Sequence, residues 1–394
     1  MKKVYLRLII SSLIVLNIGD VSLLMAEEVD IHGFISQGYL KSDKNNYLAG
    51  TDDGTFQFNE MGINFTTYAT RRLKIGCQFF ARDLGDVGND EIVVNWAFAE
   101  YNFKNWLGFR SGLLKGPFGF YNDTRDYDSL RTEILLPGSV YNELFRDGNN
   151  SAKGIEFFGT QSIGPMGMVK YQLLTVDTQI PDDSGTVKIV ALSNPNITNI
   201  TNIDVGHVYI AYFQWFPPLD GLRLAGTCYT LDYKFDALFS GALPVRVDTT
   251  SAKWYVVSAE YTWNDLTLSA ENYIFDTDVA IHLLSDGMPK IADMDKESKE
   301  SYFLKLSYRL TDWLEAGYYY SRATPHFSME SAATNKDAEK LEDNCLSFRF
   351  DINPSWLVKL EAHLMNGEYG VGPDDDGRTY SEWMLFGAKM TFAF

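Results

Sequence analysis

Between residues 302 and 310 the chain places Tyr302, Leu304, Leu306, Tyr308 and Leu310 at every second position, with Phe303, Lys305, Ser307 and Arg309 between them. A period of two describes an extended strand with one apolar and one polar face. The pattern recurs along the chain. Leu73, Ile75, Cys77 and Phe79 alternate with Lys74, Gly76 and Gln78, and Leu346, Phe348, Phe350 and Ile352 with Ser347, Arg349 and Asp351. Trp356, Val358, Leu360, Ala362 and Leu364 alternate in the same way with Lys359, Glu361 and His363. A length of 394 residues would otherwise suggest two or three soluble domains. The uniform pattern, with no linker interrupting it, points instead to one all-β sheet. If the apolar faces meet lipid, the sheet has to close, because a lipid-exposed edge leaves backbone groups without hydrogen bonds. A Lys or Arg turned toward lipid near the midplane would cost ~2–4 kcal/mol. The basic residues of these strands are therefore expected to point into a lumen.

Read in this way, residues 27–394 divide into about sixteen strands of a transmembrane antiparallel β-barrel. They begin near Ile31, Phe58, Leu73, Ile92, Trp106, Lys153, Met166, His207, Leu222, Trp254, Leu266, Tyr302, Trp313, Cys345, Trp356 and Tyr380. Short turns are expected around Arg71, Asn105, Gly164, Pro217-Pro218, Asn264, Asp312 and Pro354. Longer, polar connections fall at 41–55, 83–90, 115–150, 177–205, 233–252, 277–299, 323–343 and 367–379. Outer-membrane barrels sort their connections like this, with short turns on the periplasmic side and long loops outside.

The two ends of the chain fit the same picture. Lys2, Lys3 and Arg7 precede the apolar run Leu8–Ile18, and Leu24-Met25-Ala26 follows. This is the order of a secretory signal peptide, expected to span 1–26, with an apolar run too short to cross a bilayer as a helix. At the other end Phe386, Ala388, Met390 and Phe392 alternate with polar residues up to Phe394. That pattern resembles the last strand of Gram-negative outer-membrane proteins. No later window holds eighteen consecutive apolar residues, so helical spans are not expected. The 23 Tyr, 26 Phe and 8 Trp suit aromatic girdles, and a net charge of −18 argues against a nucleic-acid partner.

Residues 115–150 differ from the other long connections. A loop bound for bulk water would not carry Phe118, Phe120, Tyr121, Leu135, Leu136 and Tyr141. This third long loop is expected to fold inward and narrow the lumen. The stretch from Gly116-Pro117-Phe118-Gly119 to Tyr141 resembles the constriction loop of sixteen-stranded porins of the general and phosphate-selective types. The resemblance implies a water-filled pore, assembled as a homotrimer in an outer membrane containing lipopolysaccharide. The candidate constriction residues are Arg110, Lys115, Asp123, Arg125, Asp126, Arg131 and Glu133. The candidate pore-lining bases are Lys74, Lys305, Arg309, Arg349, Lys359 and Lys389. Wall acids and bases nearly balance, so loop acids facing wall bases such as Arg110 would set up a transverse field, and a neutral lumen is the alternative.

No enzyme or cofactor is expected, because nothing in the sequence singles out a nucleophile and base. Cys77, Cys228 and Cys345 and the five histidines show no metal spacing. Cys77 and Cys228 are expected on the lipid side, with Cys345 on the opposite face. The function expected is passive diffusion of small hydrophilic solutes and ions. The alternatives are a channel selective for phosphate or another anion, and a surface adhesin anchored by its barrel.

Overall fold

The computed structural model describes residues 28–85, 87–194, 196–284, 290–325 and 340–394, and at 147, 149 and 290–297 the backbone alone. The expected signal segment 1–26 lies outside them. The strands are β1 Asp30–Ser42, β2 Phe58–Thr70, β3 Leu73–Leu84, β4 Val93–Lys104, β5 Leu107–Lys115 and β6 Ser151–Ser162. Next come β7 Met168–Asp177, β8 Ile197–Val205, β9 Val208–Phe216, β10 Leu222–Phe239, β11 Leu243–Trp263 and β12 Leu266–Leu283. The last five are β13 Lys290–Thr311, β14 Leu314–Ala323, β15 Leu341–Asn353, β16 Trp356–Gly367 and β17 Glu382–Ala393. Neighbours pair antiparallel, and β17 returns to β1 in a register running from Phe34↔Ala393 to Ser42↔Leu385. Strand β8 stands outside the ring: β7 pairs directly with β9, and β8 lies along the far end of β10. The closed barrel therefore has sixteen strands, each paired on both sides within the ring, as a sheet in hydrocarbon requires.

Through most of the barrel the usual sense of burial is inverted. Leu304 is 58% exposed, Leu364 61% and Phe386 46%, whereas Lys359, between outward-facing neighbours, is 0% exposed and Lys389 2%. Cys77 and Cys228 are half-buried and Cys345 is buried, as their positions in the alternation imply. Among the described residues no helix is long and apolar enough to cross a membrane.

Three of the long connections are not simple loops. Strands β10 to β13 run for 18, 21, 18 and 22 residues, about twice the ~9–11 that cross a bilayer. Residues 233–252 and the described part of 277–299, read from sequence as loops, are mainly the far halves of these strands. Their polarity changes faces. Cys228, Tyr255 and Ile274 face outward near one level, and one step beyond them Thr230, Lys253 and Asp276 are mutual neighbours in register. Farther out, Asp236 and Arg246 pair on the outer face at 2.7 Å, as do His282 and Asp248 at 2.9 Å. On the inner face Phe235, Val247, Val279 and Ile281 form an apolar cluster with Ile197 and Ile200 of β8. The helix Gly185–Ser193 packs on the same cluster through Val187 and Val190, and its first turn is capped by the Ser184 hydroxyl, which accepts from Val187 N–H. The helix and β8 thus form an apolar cover over an apolar wall. Two register shifts, at Leu231/Tyr233 and Thr250/Lys253, interrupt the alternation where it reverses.

Candidate functional site

The segment between β5 and β6 makes its contacts with inward-facing side chains around the ring. The Phe120 N–H donates to Glu271 Oε1 of β12 at 2.7 Å, and the Tyr141 hydroxyl donates to Oε2 of the same carboxylate at 2.5 Å. Tyr121 donates to Glu260 of β11 at 2.6 Å. The Ile134 N–H donates to Glu361 of β16 at 2.7 Å, and Asp128 accepts from Thr391 of β17 at 2.7 Å. Thr132 bonds Glu315 of β14, and Arg146 bonds Glu60 of β2. Gly119 makes the tight approach to Glu271 possible. Its φ is +56°, and a Cβ there would fall 2.7 Å from Glu271 Oε2.

Apolar contacts complete the attachment. The Phe118 ring meets Tyr229 and Tyr273 edge-on, with centroids 5.6 and 5.3 Å apart, and Tyr121 and Tyr141 lie tilted against Phe303. Such aromatic pairs each contribute about 0.5–1.5 kcal/mol beyond their buried area. These contacts explain why a long connection carries so many large side chains.

The charged residues expected at a constriction fall into two groups. The first is buried and tied to the loop. Lys115 pairs with Asp126 at 2.6 Å, Arg125 with Glu143 at 2.9 Å, Arg131 with Asp128 at 2.9 Å and Lys305 with Glu133 at 3.0 Å. Lys389 bridges Glu60 at 2.6 Å and Asp128 at 2.9 Å, while Lys359 donates to the Glu133 carbonyl at 2.8 Å. Burial alone would raise the Asp126 carboxyl, but Lys115 and Arg146 outweigh it and hold the group well below the usual carboxylate range. Asp128 is depressed despite burial by Lys389 and Lys359, Glu133 by Lys305, and Glu143 by Arg125 and Arg146. Asp123 goes the other way: burial pushes its carboxyl up, and Lys170, Lys115 and Arg110 offset this only in part.

The second group stands on the wall and is partly reached by solvent. Arg110 pairs with Glu100 at 2.6 Å and Glu156 at 2.8 Å, Arg309 with Glu315 at 2.8 Å and Asp351 at 2.5 Å, and Arg349 with Asp351 at 2.7 Å. Lys74 is half-buried opposite Glu100 in the β3–β4 register. Loop acids do face wall bases at Glu133–Lys305 and Asp128–Lys389. Arg110 departs from that expectation, because the nearest acids belong to its own neighbouring strands. Glu60, Glu271 and Glu361, none of them among the candidate constriction residues, hold the loop at Arg146, at Phe120 and Tyr141, and at Ile134 and Leu135. Their sequence signal was a carboxylate on an inward face, which ordinary lumen residues share.

At the short-turn end a cavity of about 410 Å³ is lined by Asp128, Ser129, Arg349, Asp351 and Thr391. At the long-loop end a smaller cavity of about 120 Å³ lies between the loop, the helix Gly185–Ser193 and the inner faces of β10 to β12.

No family model and no curated protein matches this chain. Solved structures do. The outer membrane channel DcaP of Acinetobacter baumannii matches with a TM-score of 0.59 and 12% identity over 93% of this chain and 97% of that one. OmpF of Salmonella typhi, solved with daunomycin, matches with a TM-score of 0.58 and 12% identity over 94% and 98%. The anion-selective porin of Comamonas acidovorans matches with a TM-score of 0.56 and 14% identity over 93% and 99%. The chain is thus a closed sixteen-strand barrel of the outer-membrane porin fold. Within that class the likeness is one of architecture, and solute preference has to be argued from this chain's own residues.

Proposed function

We propose that this protein is a passive outer-membrane channel for small hydrophilic solutes and ions, exported with cleavage near Ala26 and assembled as a homotrimer. The observation that carries the reading is the distribution of polarity: a ring apolar outside and charged inside, with a cavity lined by both charged and apolar side chains beneath a loop anchored to its wall. Arg110, Arg309 and Arg349 all have acidic partners. That pairing favours a weakly selective lumen over a dedicated anion channel, which would need unneutralised bases. Single-channel recording of the purified protein under a salt gradient tests the proposal. The expected result is measurable conductance with a reversal potential near zero. Arg110→Ala should move the preference toward cations, because it leaves Glu100 and Glu156 without their shared base. Deletion of residues 118–141 should raise the conductance. Absence of both conductance and liposome swelling in small sugars would refute the channel. A barrel that anchors a surface-binding structure would then be the better account, and the long β10–β13 wall is the observation in its favour.

A further inference from the structure

Cys345 and His363 are 18 residues apart in sequence and directly opposite one another in the β15–β16 register, with Glu361 two residues along on the same inward face. The Cys345 Sγ lies 3.9 Å from His363 Nε2, which lies 3.0 Å from Glu361 Oε1. One ligand atom from each of the three lies within 4.8 Å of the others, and all three residues are buried. Bond lengths of about 2.3 Å to sulfur and 2.0–2.1 Å to nitrogen put the ligand atoms of a tetrahedral zinc centre roughly 3.3–3.6 Å apart. The two separations at His363 differ from this by a few tenths of an ångström, and the sulfur–carboxylate separation, within 4.8 Å, has to close by up to about 1.2 Å for the three atoms to reach a common ion.

Two further features point the same way. The other ring nitrogen, Nδ1, lies 3.0 Å from both oxygens of Asp343, and Asp343 also accepts from the Tyr319 hydroxyl at 2.8 Å. A metal-bound histidine typically donates its second N–H to a carboxylate in this manner, which fixes the tautomer. The charge balance is also distinctive. Asp126, Asp128, Glu133, Glu143 and Glu60 all pair with Lys or Arg, whereas among the described residues Asp343 and Glu361 pair only with His363.

We propose that Cys345, Glu361 and His363 bind one divalent transition ion. The sulfur, nitrogen and oxygen donors suit Zn2+ rather than Mg2+ or Ca2+. Binding releases the Cys345 thiol proton and the proton on His363 Nε2, leaving thiolate and carboxylate to balance the dication. Because Glu361 also accepts from the Ile134 and Leu135 backbone, the ion would fasten the inward loop to the wall. The site is closed to solvent, so the ion enters while the barrel folds.

The test is to refold residues 27–394 in detergent with Zn2+ or Co2+, pass the folded barrel through metal-free buffer, and measure metal content and absorption. The expected result is about one ion per chain, with a thiolate-to-cobalt charge-transfer band for Co2+. Cys345→Ala should abolish the band, and Asp343→Asn should weaken affinity about 10–100-fold. Glu361→Gln keeps an oxygen for the two loop N–H groups while removing the anionic ligand. It should lose the ion with the β-sheet circular dichroism unchanged, which covers the case in which Cys345→Ala does not fold. A folded wild-type barrel without bound metal, or a Cys345→Ala barrel that holds Zn2+ as tightly, would overturn the proposal and leave His363 as a metal-free bridge between two carboxylates. The outcome is independent of whether the barrel conducts.

Discussion

Replacing Lys305 by Met isolates one attachment of the inward loop. The Lys305 ammonium lies 3.0 Å from Glu133 Oε1 and 4.2 Å from the centroid of the Tyr121 ring, and both charged side chains are less than a tenth exposed. Methionine keeps most of the stem volume and removes the charge, leaving a buried carboxylate without its closest cation. Breaking one partner of a buried ion pair costs about 3–5 kcal/mol. Lys359, already bonded to the Glu133 carbonyl, can shift to absorb part of that, so the lower figure is the better guide. About 3 kcal/mol corresponds to a change of ~10²-fold in the population of the undocked loop. Limited trypsinolysis reads that population, because Arg125 and Arg131 are cleavable only when the loop leaves the wall. Lys305→Met should speed cleavage there about a hundredfold, and adding Glu133→Gln should recover most of the loss by removing the stranded charge. If the single variant were cleaved within about threefold of wild type, or the double variant as fast as the single, the pair would not be holding the loop and the reasoning fails.

Two other outcomes follow from the same structure. Asp126, Asp128, Glu133 and Glu143 are held below their ordinary range, so their contribution to docking is complete above roughly pH 4–5 and is lost as pH falls further and they protonate. Pepsin cleavage within 116–150 should therefore accelerate between about pH 4 and pH 2, and a flat profile would show that these pairs do not hold the loop. Leu304→Lys, on the lipid face, should lower equilibrium stability in bilayers by ~2–4 kcal/mol. Asp278→Lys, beyond the Thr230–Lys253–Asp276 level, should change it little, and equal effects would place the hydrocarbon boundary elsewhere.

Much of the barrel was legible because its chemistry is local. A strand in which Lys305 and Arg309 alternate with Leu304, Leu306 and Leu310 has only one orientation compatible with hydrocarbon, and the sixteen strand positions follow from that. The far halves of β10 to β13 were not legible. Their apolar residues turn inward under a helix and β8, and register shifts fall at the reversal, so a window reading sees only mixed polarity. That the segment after β5 packs on inward-facing wall residues could be anticipated from six large side chains stranded in a loop. Which carboxylates hold it could not, since Glu271 and Glu361 look like any inward acid until the register sets them beneath particular backbone N–H groups. Cys345 and His363 show the same limit, being far apart in sequence and adjacent only across a hairpin.

The unequal strand lengths also bear on approach to the barrel mouth. Ten or so extra residues per strand, at about 3.3 Å each, raise a parapet on the order of 20–30 Å along one quarter of the rim. Small solutes would pass it freely. A folded macromolecule seeking the opening would be screened on that flank and steered toward the side of β14 to β17 and β1, where the strands are shorter.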